Sequence, residues 1–440
     1  MIRAVCYTLS FLDEYRVDPM GHLRLVSPLS SAGIEIVRGV YANQTVPEQV
    51  LKGDIVVIQR HFPMLYKYYR KIIGLARQTN RPIVYEIDDW LLGLPPEHPD
   101  RMVHFYTPSL LPILEVILEA DLVTVPTEVL RDIILPLNPN VAVLANYLDD
   151  SLWQFRDPAG EISQRKHLII GYMGTHSHQP DLELIVPVFL ELLHEFSGKL
   201  QIHFWGVEPP VALRKFPHVK HFPLSLYCYS EFAQYFQNQT ADILVAPLVD
   251  NLFNRCKSPL KYFEYTALGA PSVLSAIEPY TTVIEDGKNG FLAGSLEDWR
   301  NALKKLIEDR NTRIQIARRA QKTILEKWLL SQNSYRWRDV YEKVVRGEIR
   351  NSNRVNSPFL EVVGSLNAQL FDMFQSQKNL LESQQREIGY YRQELDRLET
   401  KVQQYESEIV QYVTSRSWRY TRPFRKVDRF LRKLWASISG

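Results

Sequence analysis

Residues 257–292 read KSPLKYFEYTALGAPSVLSAIEPYTTVIEDGKNGFL, and their local grammar is helix, tight turn, strand, short helix, turn, strand. Ser258 is a good N-cap, and Pro259 suits a first helical position, where its missing N–H costs nothing. Leu260, Phe263, Ala267 and Leu268 keep one apolar face. Gly269 supplies a left-handed stop before Pro271 opens a buried strand to Ser275. Lys261 and Glu264 are three apart and so share one side of the helix. A cation there meets phosphate oxygens near the helix N-terminus, and a carboxylate one turn deeper accepts from sugar hydroxyls. The pairing suits a nucleotide diphosphate sugar. A solvated surface pair worth about 0.2–0.5 kcal/mol is the plainer alternative for these two residues alone.

The longer pattern decides between them. K-x-x-E-Y-x-A-L-G-x-P-x-V (261–273) followed by P-Y-x-x-V-I-x-D-G-x-N-G-F-L (279–292) resembles the donor-binding core of GT-B glycosyltransferases, especially the family-four group of retaining enzymes. The resemblance implies two Rossmann-like domains facing a cleft, with the acceptor bound by the first and the nucleotide sugar by the second. It also implies that Lys257, Ser258, Lys261, Glu264, Tyr280 and Thr281 contact the donor.

Composition agrees. A chain of 440 residues holds two or three domains, and 45% hydrophobic with 23% charged residues is a globular composition. No apolar run is long enough to span a bilayer, and charge interrupts the N-terminus too early for a secretory signal. Cys6, Cys228 and Cys256 are the three cysteines; their spacing fits neither a metal site nor a disulfide framework, so a reducing cytoplasm is expected.

Strand and helix signals alternate through residues 1–150. Strands are expected at Ile2 to Tyr7, Gly33 to Val37, Asp54 to Gln59, Ile83 to Ile87, Leu122 to Val125 and Val141 to Leu144, with helices between, which means a parallel sheet covered on both faces. Ligands should gather at the carboxyl ends of its strands, where His61, Asp88 and Asp89 fall. EIDDW (86–90) is loosely similar to a metal-binding D-x-D. The alternative is that Asp89 caps a turn near Trp90 while Asp88 pairs with a base. With Glu264 and Lys261, these three are the candidate catalytic residues; no metal and no cofactor is expected.

Residues 151–165 read as a linker, and 166–330 as a second alternating series. Its first strand ends at GYMGTHSHQPDLEL, where Gly174 and Thr175 suit close approach to phosphate. Asp181 would cap the next helix. Two departures from the family pattern stand out. The basic pair common after this strand is replaced by His176 and His178, and Cys256 occupies the place of a glutamate eight positions before Glu264. Asp250 and Asn251 are the candidates to replace that carboxylate. The free N–H groups of the short helix begun by residues 279–282 are expected to face the donor phosphates.

A cross-over helix (331–346) with Trp337 and Tyr341, then a polar tether (347–368), precede a heptad region at 369–414. Leu381, Ile388, Leu395, Val402 and Ile409 hold one seam position; Gln384, Tyr391, Leu398, Tyr405 and Tyr412 hold the other, which argues a coiled coil and a homodimer. The segment 415–440 carries eight Lys or Arg against one acid, a net +7 in a chain of +2. Its stripe of Val427, Leu431, Leu434 and Ile438 is flanked by Phe424, Phe430 and Trp435, the pattern of a basic helix lying on an anionic membrane. No motif for reading nucleic acid accompanies the charge.

The expected protein is a hexosyl- or deoxyhexosyltransferase, retaining by resemblance alone, using a nucleotide sugar and a lipid-linked or polysaccharide acceptor. It is expected in the cytoplasm, peripheral at the inner face of the cell membrane. A noncatalytic GT-B-like adaptor that assembles polysaccharide-synthesis enzymes is the rival reading.

Overall fold

The computed structural model describes residues 1–41, 44–160, 167–226, 228–352 and 357–438. Residues 1–367 form one compact unit and 368–440 a second.

Fourteen strands are present among the described residues: β1 Arg3–Tyr7, β2 Glu35–Arg38, β3 Val40–Tyr41, β4 Gln44–Thr45, β5 Ile55–Gln59, β6 Ile83–Glu86, β7 Leu122–Val125, β8 Val141–Val143, β9 Leu168–Gly174, β10 Leu200–Gly206, β11 Val219–Phe222, β12 Ile243–Ala246, β13 Ser272–Ser275 and β14 Phe291–Ala293. The first sheet runs β2-β1-β5-β6-β7-β8 and the second β11-β10-β9-β12-β13-β14. Both are parallel throughout. Such sheets need helices on both faces, which is why strands such as Ile55–Gln59 and Ile243–Ala246 are buried at every position. Only the small antiparallel pair β3–β4 escapes the sequence pattern, two residues a strand being too short for a period. This is the GT-B architecture. Strand order reverses direction beside β1 in the first sheet and beside β9 in the second, so each domain offers a crevice at the carboxyl ends of those strands.

The helical stretch between the first two strands, Pro19–Ser31, is interrupted by a π-turn, His22–Val26. That turn places Leu23 and Arg24 inside the molecule. Arg24 is 1% exposed, with Nε 2.7 Å from Glu86 and Nη1 2.7 Å from both the Leu144 carbonyl and Asn146 Oδ1. Gln59 Nε2 donates to the other Glu86 oxygen, and Thr8 Oγ1 donates to Gln59.

Two expectations are corrected. Residues 357–367 are not a tether: a helix runs from Pro358 to Thr414, and its first turns bury Val363 and Asn367 against the first domain, where Tyr66 donates to the Gly364 carbonyl and Asn367 to Glu115. The earlier part of the linker is also held, since Trp153 is buried and bonded to Tyr229 and the Arg156 N–H donates to the Ala267 carbonyl. Residues 161–166 lie outside the described residues. The helix Tyr335–Val345 buries Trp337 and Tyr341 and docks on the first domain through Ser334 to the Ser31 carbonyl and Arg338 to the Ala32 carbonyl.

Glu86→Leu leaves the Arg24 guanidinium buried without its carboxylate. It should lower stability by about 3–5 kcal/mol, read as a fall in thermal midpoint, and Arg24→Met added to it should restore most of the loss.

Candidate functional site

A cavity of about 500 Å³ lies between the two sheets' domains, lined from the first by Pro19, Met20, Leu23, Asp88, Asp89 and Asn146. The second domain contributes Gly174, Thr175, His176, His178, Tyr229, Lys257, Ser258, Lys261, Glu264 and Tyr280 among others. Most residues singled out from sequence therefore meet in one place. Among the candidate catalytic and donor-binding residues His61 and Thr281 do not line it, nor do Asp181, Asp250, Asn251 and Cys256.

The helix Leu260–Ala267 carries the centre of the site. Its start differs from expectation: Pro259 is the N-cap, and Ser258 Oγ accepts from Asn146 Nδ2 at 2.8 Å instead of capping the helix. The stop is as expected, with Gly269 at φ +77°. Glu264 is 3% exposed and accepts a 2.8 Å hydrogen bond from Tyr229, whose oxygen also receives Trp153 Nε1. Burial pushes the Glu264 carboxyl up to about 7. Burial likewise draws the Lys261 ammonium down to about 7, only partly offset by Asp181. Lys261 donates to Tyr172 at 3.2 Å and lies over its ring. Among the described residues the salt bridges include none to Lys261. A half-buried lysine held by a phenol rather than a carboxylate is a site prepared for an anion.

Around it the strand ends supply backbone and small side chains. Gly206, at φ +90°, closes on the Gly174 carbonyl so tightly that an added Cβ would lie 2.4 Å from it. A Cβ on Gly174 would meet the Tyr172 hydroxyl at 2.5 Å, so glycine is required where the chain passes the Lys261 partner. Thr175 Oγ1 pairs with Ser177 Oγ at 2.8 Å. Asp181 does not cap a helix; it accepts from His178 Nδ1, the Val249 N–H and Asn254 Nδ2. Burial and the nearby Lys261 hold the His178 ring down at about 3. It is therefore neutral, with its proton on the nitrogen facing Asp181 and the other nitrogen an acceptor.

Asp88 is engaged by Arg60, with Nη1 2.6 Å from Oδ1, and burial pushes its carboxyl up to about 6 against that cation. Asp89 stands 3.8 Å from Arg60 and 3.9 Å from Lys257 Nζ; burial alone would raise it, but Lys257 and Arg60 hold it below the usual carboxylate range. Of the two readings offered by EIDDW, pairing with bases describes both residues, while Asp89 caps no helix. Among the described residues, no group of three or more His, Cys, Asp or Glu could hold a metal ion. His61 lies apart, packed against Phe105 and Tyr106 with Nδ1 unbonded and its ring drawn down to about 4 by burial.

Further corrections concern the donor side. The N–H groups of Tyr280, Thr281 and Thr282 are already given to the Ile277 and Pro279 carbonyls, so that turn has none free for phosphate, and Thr281 is exposed. Asp250 is tied to Arg255 and Asn251 caps the helix Leu252–Arg255, so neither replaces the missing glutamate in the cavity. Cys256 is fully buried, and burial pushes its thiol up to about 12, which makes it inert. Tyr229, Asn146, Tyr172 and Asp181 were not foreseen. Tyr229, Asn146 and Tyr172 act by contacts distant in sequence, and Asp181 adds to its neighbour His178 the distant Val249 N–H and Asn254 side chain, which leave no local signal.

Two parallel-sheet domains closing on the helix that carries Lys261 and Glu264 define the GT-B fold. Residues 167–309 match the family model described as Glycosyl transferases group 1, so the second domain carries that family's domain. No curated protein sequence matches the chain. Among solved structures, the fold is similar to sucrose-phosphate synthase from Thermosynechococcus elongatus (TM-score 0.55, 11% identity, 79% of this chain and 100% of that one). It is also similar to Alr3699/HepE from Anabaena in complex with UDP-glucose (TM-score 0.54, 13% identity, 78% of this chain and 100% of that one). At such identities the likeness is one of fold.

An anion bound beside Lys261 should restore its charge and so take up a proton. Affinity for a nucleoside diphosphate should therefore fall as pH rises above 7, approaching tenfold per unit, and calorimetry at pH 8 in buffers of different ionisation enthalpy should show uptake of about one proton. Lys261→Arg should flatten the profile.

Proposed function

We propose that the protein transfers a hexose or deoxyhexose, with retention, from a nucleoside-diphosphate sugar to a lipid-linked or polysaccharide acceptor at the inner face of the cell membrane. The observation that carries the donor half is Lys261, half-buried and without an ion pair among the described residues, beside the Gly174 turn. The diphosphate supplies the charge Lys261 lacks, and the loop at Gly174–Thr175 lets it come close. Glu264, oriented by Tyr229, receives donor hydroxyls. Binding energy from the nucleotide positions the anomeric carbon, and the Lys261 cation stabilises the departing diphosphate. Retention rests on the family resemblance. With Asp88 and Asp89 paired to Arg60 and Lys257, the reaction runs without a metal ion.

The donor test is thermal stability with a panel of nucleoside diphosphates and their sugars, UDP first. A true ligand at about a hundred times its Kd stabilises by about 2.7 kcal/mol. Lys261→Met should leave the free protein as stable or more stable, because a desolvated ammonium is removed, yet abolish the ligand shift. Binding without turnover on any acceptor would favour the adaptor, and no shift with any nucleotide would sink the transferase reading.

The membrane half rests on the helix Arg422–Ile438. Phe424, Val427, Phe430, Leu431 and Leu434 are exposed along one side, and the basic residues take the other. Among the described residues no helix is long and apolar enough to cross a membrane, so this one is suited to lying on it. Full-length protein should sediment with vesicles containing anionic phospholipid and not with neutral ones. Replacing Arg425, Arg429 and Arg432 by Gln should weaken that binding about a hundredfold, at about 1 kcal/mol per basic residue.

A further inference from the structure

The second unit leaves its seam uncovered. Leu381, Ile388, Leu395, Val402, Ile409, Tyr391, Leu398, Tyr405 and Tyr412 are all between 50% and 65% exposed on the helix Pro358–Thr414. A continuous apolar stripe of this length, bordered by Glu, Arg and Lys, is a surface made to be covered by another helix. Its own composition identifies the occupant. One seam position holds only aliphatic side chains, and the other holds three tyrosines, a leucine and a glutamine. We propose that a second copy of this chain covers the seam in antiparallel orientation.

The argument is volume per layer. In a parallel, in-register pair each seam residue faces itself, so three layers set tyrosine on tyrosine, one of them directly after Val402 on Val402, and volume is uneven along the rod. Turning one helix round sets the two positions against each other. Leu381 then faces Tyr412, Ile388 faces Tyr405, Val402 faces Tyr391, and the centre is Leu395 against Leu398. Every tyrosine meets an aliphatic side chain, and layer volumes become nearly uniform. Flanking charges do not oppose this, for Glu394 comes beside Lys401 and Arg392 beside Glu399, outweighing Glu387 against Glu408. The tails add to the preference. Each carries +7, so a parallel pair would crowd two like-charged segments together, whereas the antiparallel rod separates them. At 1.5 Å per residue the seam from 381 to 412 is about 47 Å long. A basic tail leaves each end of it, giving one dimer two points of attachment. The pairing stands independently of the transfer reaction; only that attachment rests on the membrane reading.

The test uses the full chain with Leu381→Cys and Tyr412→Cys, singly and together; the native cysteines are buried. Light scattering of the unaltered protein should give twice the chain mass, and Leu395→Glu with Leu398→Glu should halve it without changing nucleotide binding. Under mild oxidation the double cysteine variant, or a mixture of the two single ones, should link into dimers while each single variant alone stays unlinked. Self-linking of either single variant overturns the orientation. A single-chain mass at all concentrations overturns the pairing itself.

Discussion

Three consecutive residues fasten the second domain to the first, and the geometry of the cleft depends on them. The Cys256 carbonyl accepts from Thr127 Oγ1 at 2.9 Å, Lys257 Nζ approaches Asp89, and Ser258 Oγ accepts from Asn146. Asn146 is itself held by the buried guanidinium of Arg24, which Glu86 neutralises. A chain of polar contacts thus runs from the centre of the first sheet to the residue two before the helix that carries Lys261 and Glu264. Buried polar groups of this kind are costly unless every partner is present, so the network defines one arrangement of the domains rather than merely adding stability.

That fixed arrangement explains how the site tolerates its own electrostatics. Lys261 and Glu264 are both driven towards neutrality by burial, a cost the fold must carry while the cleft is empty. A ligand bearing negative charge next to Lys261 relieves part of it, so the binding energy has a source already present in the protein. The stability of the empty enzyme and its appetite for an anion are two sides of one desolvation term.

The sheets were legible because each parallel strand is a short, nearly all-apolar run bracketed by turns, as at Ile55–Gln59 and Ile243–Ala246. Lys261, Glu264 and Gly174 were legible because a spacing on one helix and a glycine after one strand are local facts. What failed was anything decided by a partner far along the chain. Ser258 reads as a helix cap until Asn146 claims its hydroxyl. Residues 280–282 read as free donors until the carbonyls of Ile277 and Pro279 take them. The tether at 357–367 looked loose because its few apolar residues make no period, yet Val363 and Asn367 reach a surface built by Tyr66 and Glu115.

Cys256 shows how a lost side chain and a kept architecture fit together. In the family pattern a glutamate at this position serves the donor sugar. Here the side chain is fully buried outside the cavity lining, while its carbonyl serves the domain contact to Thr127. A carboxylate placed in that burial would demand a partner; it would meet Asp89, of like sign, and Lys257, which Asp89 already approaches at 3.9 Å. The contact therefore favours a small uncharged residue, and under the proposed transfer reaction a donor sugar would meet Glu264 together with the first domain's Asn146 and Asp89, which line the same cavity.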